Sequence, residues 1–68
     1  MFIRNAIDSL PALLKEALVL REYEGFSYDQ IAEVLDIELS LAKIRVHRAR
    51  LIMRKILTPV MQERYESR

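Results

Sequence analysis

The sequence has no cysteine, one histidine, one glycine and two prolines among its 68 residues. Without cysteine the chain forms no disulfide and no thiolate metal site. His47 alone does not provide a zinc site of the usual kind, so we expect no metal. The scarcity of glycine and proline beside many strong helix formers favours an all-helical fold with few tight turns. A domain of this size buries only about 60% of the surface of its unfolded chain, so its core should be thin.

Long apolar runs are also missing. No stretch approaches the roughly 18 residues that cross a bilayer. The start, MFIRNAIDSLP, is too short and too polar for a secretory signal. We therefore expect a soluble cytoplasmic protein with no membrane insertion.

A catalytic arrangement is missing as well. Nucleophilic or acid–base catalysis needs a reactive group beside a base or a paired carboxylate. The acids of this chain are scattered over the predicted helices, with no histidine beside them. We expect a protein that is not an enzyme and that binds neither a cofactor nor a small-molecule ligand.

Charge is strongly segregated although the net charge is only +1. Residues 1–39 carry eight acids and three bases, residues 40–57 carry six bases and no acid, and residues 58–68 sum to zero. Such a local field attracts polyanions more effectively than the net charge suggests.

Apolar periodicity predicts three main helices with short helical segments at the two ends. A short helix is expected over 2–8 and a core-facing helix from Pro11, in its first turn, to about Glu24. Gly25 would end that helix in a left-handed conformation. The expected core positions of the second helix are Leu10, Leu13, Leu14, Ala17, Leu18 and Leu20, with Val19 outside the stripe.

The segment SYDQ at 27–30 is a capping-box pattern that should start a short helix ending near Asp36. After a turn of about four residues, Ser40 is a credible N-cap for a long helix over about 41–57. Thr58 and Pro59 resemble the start of a last short helix. The expected core face of the long helix is Ala42, Val46, Ala49, Met53 and Ile56. A short helix, a turn and a longer basic helix form a helix-turn-helix pattern, whose second helix enters the major groove of DNA.

The basic run admits two interpretations, a solvated helix face or a nucleic-acid surface. A self-stabilised exposed helix would alternate acids with bases, whereas this run has one sign and lies on the second helix of the motif. By position, Lys43 is a candidate for a base edge, and Arg48 and Arg50 suit phosphates. His47 should be exposed, as a neutral surface residue or a DNA contact. For Arg45, near the edge of the apolar face, a structural ion pair and a DNA contact both remain open.

In combination, these segments resemble region 4 of bacterial RNA polymerase sigma factors, particularly the extracytoplasmic-function (ECF) group. The resemblance covers about residues 10–57 and implies one domain over 1–68 with a tail at 58–68. The motifs that carry it, in order, are LP at 10–11, LVLRE at 18–22, EGFSY at 24–28, IAEVL at 31–35 and HRAR at 47–50.

The resemblance implies a promoter-recognition domain that binds the −35 element of double-stranded DNA and docks on the β-subunit flap of RNA polymerase. An anti-sigma factor is a further implied partner. Carried over by position, Lys43, Ile44, His47 and Arg48 occupy the DNA-facing sites of the recognition helix. Arg45, Arg50 and the start of the Ser27 helix fall where DNA-backbone contacts are usual. The expected DNA-binding set is Ser27, Tyr28, Ser40, Lys43, Ile44, Arg45, His47, Arg48 and Arg50.

The chain departs from the family pattern near the start of the recognition helix. The family has Gly-Thr at 40–41, a proline at Glu38, a glycine at Asp36 and a small polar residue at Ile44. Ile44 could contact a thymine methyl group, or the helix could bind a protein instead of DNA. A LuxR-type regulator domain is a further alternative, suggested by VHRARLIMRKI at 46–56.

Overall fold

The structure is a computed structural model that describes the backbone of residues 2–66 and the side chains of residues 4–58. Within these residues the chain is all-helical, as predicted, with helices α1 (Phe2–Asp8), α2 (Ala12–Glu22), α3 (Tyr28–Leu35) and α4 (Leu39–Glu66). Helices α1, α2 and α3 all pack against α4, and α2 also contacts α3. No helix in the described part of the chain is both long and apolar enough to cross a bilayer.

The boundaries of α1 and α2 follow from local backbone chemistry. α1 covers the predicted residues, and its end is closed by the Ser9 hydroxyl, which donates to the Ala6 carbonyl at 2.6 Å. Pro11 precedes α2 with an extended ψ of 142° rather than lying in its first turn. Its carbonyl accepts the amide of Lys15 at 2.9 Å, so proline contributes an acceptor and leaves no unpaired amide.

The link from α2 to α3 uses the one glycine of the chain. α2 ends at Glu22, two residues earlier than predicted, and Gly25 has a φ of +70°, which confirms its left-handed conformation. The Phe26 amide then donates to the Leu20 carbonyl at 3.0 Å, which fixes the reversal of the chain. A non-glycine residue would be strained here because its Cβ crowds the backbone at positive φ.

The predicted capping box at the start of α3 is confirmed. The Gln30 amide donates to the Ser27 hydroxyl at 3.1 Å, and the Ser27 amide donates to the Gln30 side-chain oxygen at 2.8 Å. At the other end, Asp36 adopts a left-handed conformation with a φ of 55°. The glycine that the resemblance implies at this position is explained by that φ, which aspartate tolerates better than most residues.

Two predictions about α4 are wrong. The helix begins at Leu39, so Ser40 lies in its first turn and is not the N-cap; the Glu38 carbonyl accepts the Ala42 amide at 3.0 Å instead. The helix also continues through Pro59, where a break was expected. Pro59 removes only one helical hydrogen bond, and it lies about two turns beyond Ile52 and Met53, which pack on the core.

The core draws side chains from all four helices. Each fully buried aliphatic side chain, such as Ile31 or Val46, contributes about 1.5–3 kcal/mol to folding. The buried cluster consists of Ile7, Leu10, Ala17, Leu18, Ile31, Ala42, Val46 and Ala49.

Three core predictions need correction. Leu13 is 56% exposed, because the predicted 160° stripe on α2 is wider than the surface that its neighbours cover. Val19, expected outside the stripe, is half-buried against the core. Ile56, expected in the core, is exposed at 37%, and Ile52 packs on the core instead.

Candidate nucleic-acid interface

One face of α4 is exposed and carries positive charge without an acid. Ala42, Val46 and Ala49 turn the opposite face into the core, where each is fully buried. The helical period of about 3.6 residues then directs the residues between them to the outside. We call these exposed residues the cationic face: Ser40, Lys43, Ile44, His47, Arg48, Leu51, Arg54 and Lys55.

The cationic face contains five of the nine predicted DNA-binding residues. Lys43, Ile44, His47 and Arg48 are all exposed within the first three turns of α4, and the prediction that His47 is exposed is confirmed. Ser40 is exposed in the first turn. These five predicted residues therefore lie together in the N-terminal half of one helix, which is where a recognition helix contacts bases.

The two predicted residues of α3 lie at its N-terminus. Ser27 is exposed, but its hydroxyl already accepts the Gln30 amide. Tyr28 is half-buried, and the Arg21 guanidinium stands 4.4 Å from the centre of its ring. Arg21 also donates to the Phe26 carbonyl at 2.9 Å. Arg21 thus fixes the entry of the chain into α3 through a cation–π contact and a backbone hydrogen bond.

Arg50 differs from the residues of the cationic face because it is bound within the protein. Its Nε donates to Glu22 Oε1 at 2.8 Å, and a second guanidinium nitrogen forms an ion pair with the same oxygen. Its third nitrogen lies 3.4 Å from the Tyr28 hydroxyl. The hydrogen bond to Glu22 raises the pKa of Arg50 above its ordinary value. Arg50 therefore connects α4 with the end of α2 and the start of α3.

Arg45, for which the sequence left a structural ion pair and a DNA contact open, does not form the ion pair with Glu22. Arg45 is half-buried, but the ion pair from α4 to α2 is formed by Arg50. Sequence reasoning missed Glu22 and Arg21 as partners. A signal was present, because Glu22 follows the buried Leu18 by four residues and so lies on the core-facing side of α2.

The acidic residues nearest in sequence to the cationic face lie before the start of α4 and not on the face itself. Glu38 and Asp36 are exposed just before the N-terminus of α4. A carboxylate there interacts favourably with the positive end of the helix dipole. Within the described residues, no three His, Asp or Glu side chains are close enough together to hold a metal ion.

Comparison with known proteins identifies the family. The family described as Sigma-70, region 4 matches residues 3–53. The chain is 39% identical over 61 residues to the RNA polymerase sigma-H factor of Pseudomonas aeruginosa, covering 90% of this chain and 32% of the relative. It is 40% identical over 57 residues to the ECF RNA polymerase sigma-E factor of Haemophilus influenzae, covering 84% and 30%.

A third relative is the ECF RNA polymerase sigma factor SigE of Mycolicibacterium smegmatis, 35% identical over 65 residues. That alignment covers 96% of this chain and 25% of the relative. The chain thus spans about a third or less of the length of the curated relatives it matches. The four helices, the helix-turn-helix of α3 and α4 and these matches lead to one conclusion: the chain belongs to the Sigma-70, region 4 family.

Proposed function

We propose that this chain is the −35 promoter-binding domain of an ECF-type sigma factor, acting in transcription initiation and not as an enzyme. The observation that carries the proposal is the cationic face, which has one sign of charge and lies on the second helix of a helix-turn-helix. Surfaces of this kind attract the phosphate backbone and place the exposed helix in the major groove. A cytoplasmic location is part of this proposal.

The residues divide into two roles under this proposal. Lys43, Ile44, His47 and Arg48 face the major groove from the N-terminal half of α4. Ser40, Ser27, Tyr28 and Arg45 flank them and approach the DNA backbone. Arg50 was expected among the phosphate contacts; its bonds to Glu22 and Tyr28 support a role in holding α4 at the correct angle.

Docking on the polymerase is assigned to a different surface. An open cavity of about 240 Å³ is lined by Ile7, Leu18, Glu22, Tyr23, Arg50 and Met53, none of which belongs to the cationic face. Tyr23 beside it is 63% exposed. We propose that an apolar segment of the polymerase β-subunit flap docks in this groove, which would leave the cationic face of α4 free for DNA. An anti-sigma factor that covers either surface would block promoter binding.

The test is DNA binding by alanine variants of the cationic face. Lys43→Ala and Arg48→Ala should each weaken binding to −35 duplexes and reduce the slope of log K against log salt by about 0.9. Arg4→Ala, which removes an exposed charge on α1, is the matched control and should leave that slope unchanged. Equal affinity of wild type and both variants for every duplex at low salt would refute the proposal.

The alternative of a protein-binding module is not favoured by the sigma-factor relatives, although Ile44 and Leu51 are exposed large apolar residues on the same face. Binding to a protein through these side chains would depend weakly on salt, whereas DNA binding weakens steeply. The LuxR-type alternative is not favoured, because the matched relatives are sigma factors.

A further inference from the structure

The exposed isoleucine of the recognition helix lies outside the buried core. Ile44 is 43% exposed in the second turn of α4 and does not belong to the core cluster. Its helical neighbours at three and four residues are Ser40, Leu41, His47 and Arg48. An aliphatic side chain is thus held in the part of α4 that faces the major groove, with cationic and polar groups around it.

The edges of base pairs in the major groove offer mostly polar partners. Guanine, cytosine and adenine present hydrogen-bond donors and acceptors there, and only thymine adds an apolar group, its C5 methyl. Ile44 has no donor or acceptor. Opposite a polar base edge it would displace water and leave that edge unpaired, which costs free energy. Opposite a thymine methyl group, Ile44 would bury apolar surface of its own side chain and of the base.

From this chemistry we infer that Ile44 is a specificity-determining residue that selects a thymine through its C5 methyl group. The inference rests on the proposed DNA-binding function and adds the chemical class of one base. Discrimination arises from the apolar contact with thymine and from the unpaired edge that any other base would leave.

A protein is a less suitable binding partner for Ile44 than DNA is. Stable protein interfaces bury about 800 Å² on each side around an apolar centre. The exposed apolar residues of this face, Ile44 and Leu51, lie seven residues apart, or about 10 Å along the helix axis. Four cationic side chains share this face with them, Lys43, Arg48, Arg54 and Lys55. A surface in which isolated methyl groups alternate with positive charges fits the edge of a duplex better.

The test removes the methyl group from DNA instead of from the protein. Duplexes bound by the 68-residue chain are selected from a random pool, and each thymidine is replaced in turn by deoxyuridine, which lacks the C5 methyl. At one position, wild type should lose about fourfold in affinity, the equivalent of one buried methylene. The Ile44→Ala variant should bind the thymidine and deoxyuridine forms of that duplex equally, as measured by competition fluorescence anisotropy.

Leu51→Ala is the matched control, because Leu51 is 40% exposed on the same face but two turns farther from the helix start. This variant should keep the fourfold difference. Circular dichroism of each variant checks that the fold is retained. The inference is overturned if no replacement of thymidine by deoxyuridine weakens binding to a specifically bound duplex. It is also overturned if the Ile44→Ala variant still binds the thymidine form more tightly than the deoxyuridine form. Absence of specific binding to any duplex would instead overturn the proposed function itself.

Discussion

The ion pair between Glu22 and Arg50 offers a direct test of how the recognition helix is held. It joins residues 28 apart in sequence and links the end of α2 to the middle of α4. We consider Glu22→Gln, Arg50→Gln and the double variant. Both side chains are nearly half exposed, at 46% and 47%, so neither substitution buries an unpaired charge.

The expected coupling free energy follows from the exposure of the two side chains and from the geometry of the ion pair. Exposed ion pairs contribute about 0.2–1 kcal/mol. Two guanidinium nitrogens share one carboxylate oxygen here, and such charge-assisted contacts are the stronger kind. We therefore expect a coupling free energy near 1 kcal/mol. The free energy of unfolding of a domain this size is about 3–10 kcal/mol, and each single variant should lower Tm by about 4–8 °C.

The assay is urea denaturation of the wild type and the three variants, analysed as a double-mutant cycle. Lys15 and Asp8 provide a matched control, an ion pair at 3.0 Å through a single nitrogen, with side chains 40% and 58% exposed. The coupling free energy of this control pair should be near the lower limit for exposed ion pairs, about 0.3 kcal/mol. A coupling for Glu22 and Arg50 no larger than that of the control would refute the reasoning.

Measurements of DNA binding by the same variants show whether Arg50 positions α4 or contacts a phosphate group. Glu22→Gln removes no cation, yet it should weaken duplex binding because α4 is held less firmly, and the salt slope should stay as in wild type. Arg50→Gln should behave in the same way. If Arg50→Gln lowers the salt slope by about 0.9 while Glu22→Gln has no effect, Arg50 is a phosphate contact instead.

Three further predictions concern stability and are checked by urea or thermal denaturation. Gly25→Ala should destabilise by about 1 kcal/mol through backbone strain alone, since nothing lies within 4 Å of the added Cβ; a neutral result would contradict the left-handed turn. Ser27→Ala should cost about 1 kcal/mol by removing the acceptor for the Gln30 amide, and an unchanged midpoint would argue against the capping box. Leu18→Ala should cost about 2–5 kcal/mol because Leu18 is buried, whereas Leu13→Ala should cost less than about 0.5 kcal/mol; equal losses would contradict the observed exposure of Leu13.

Local signals in the sequence were sufficient for much of the fold. The Ser27 and Gln30 capping box and the left-handed Gly25 were both predicted because each depends on residues a few positions apart. The start and end of α4 were predicted less well. Ser40 has good N-cap chemistry and Pro59 is a typical helix breaker, but propensity is a weak prior that the surrounding structure overrides.

Part of the candidate site, too, was predictable from the sequence and part was not. Helical spacing alone grouped Lys43, His47 and Arg48 on one face of α4, and the one-signed charge of residues 40–57 indicated a polyanion. Spacing did not show that Arg50, unlike Arg48, is bound to Glu22. That distinction depends on the distance from α4 to the end of α2, which no pattern within α4 contains.

The helical class, the helix-turn-helix and the charged face follow from the order of the residues alone, because apolar periodicity, capping and charge sign act over a few residues. The packing of the helices settles which arginine is bound to Glu22, which leucine of α2 stays exposed, and that Ile44 lies outside the core. These outcomes depend on how α1, α2 and α3 approach α4 in space. Packing between distant segments sets that geometry, and it gives the same residue type different roles at neighbouring positions.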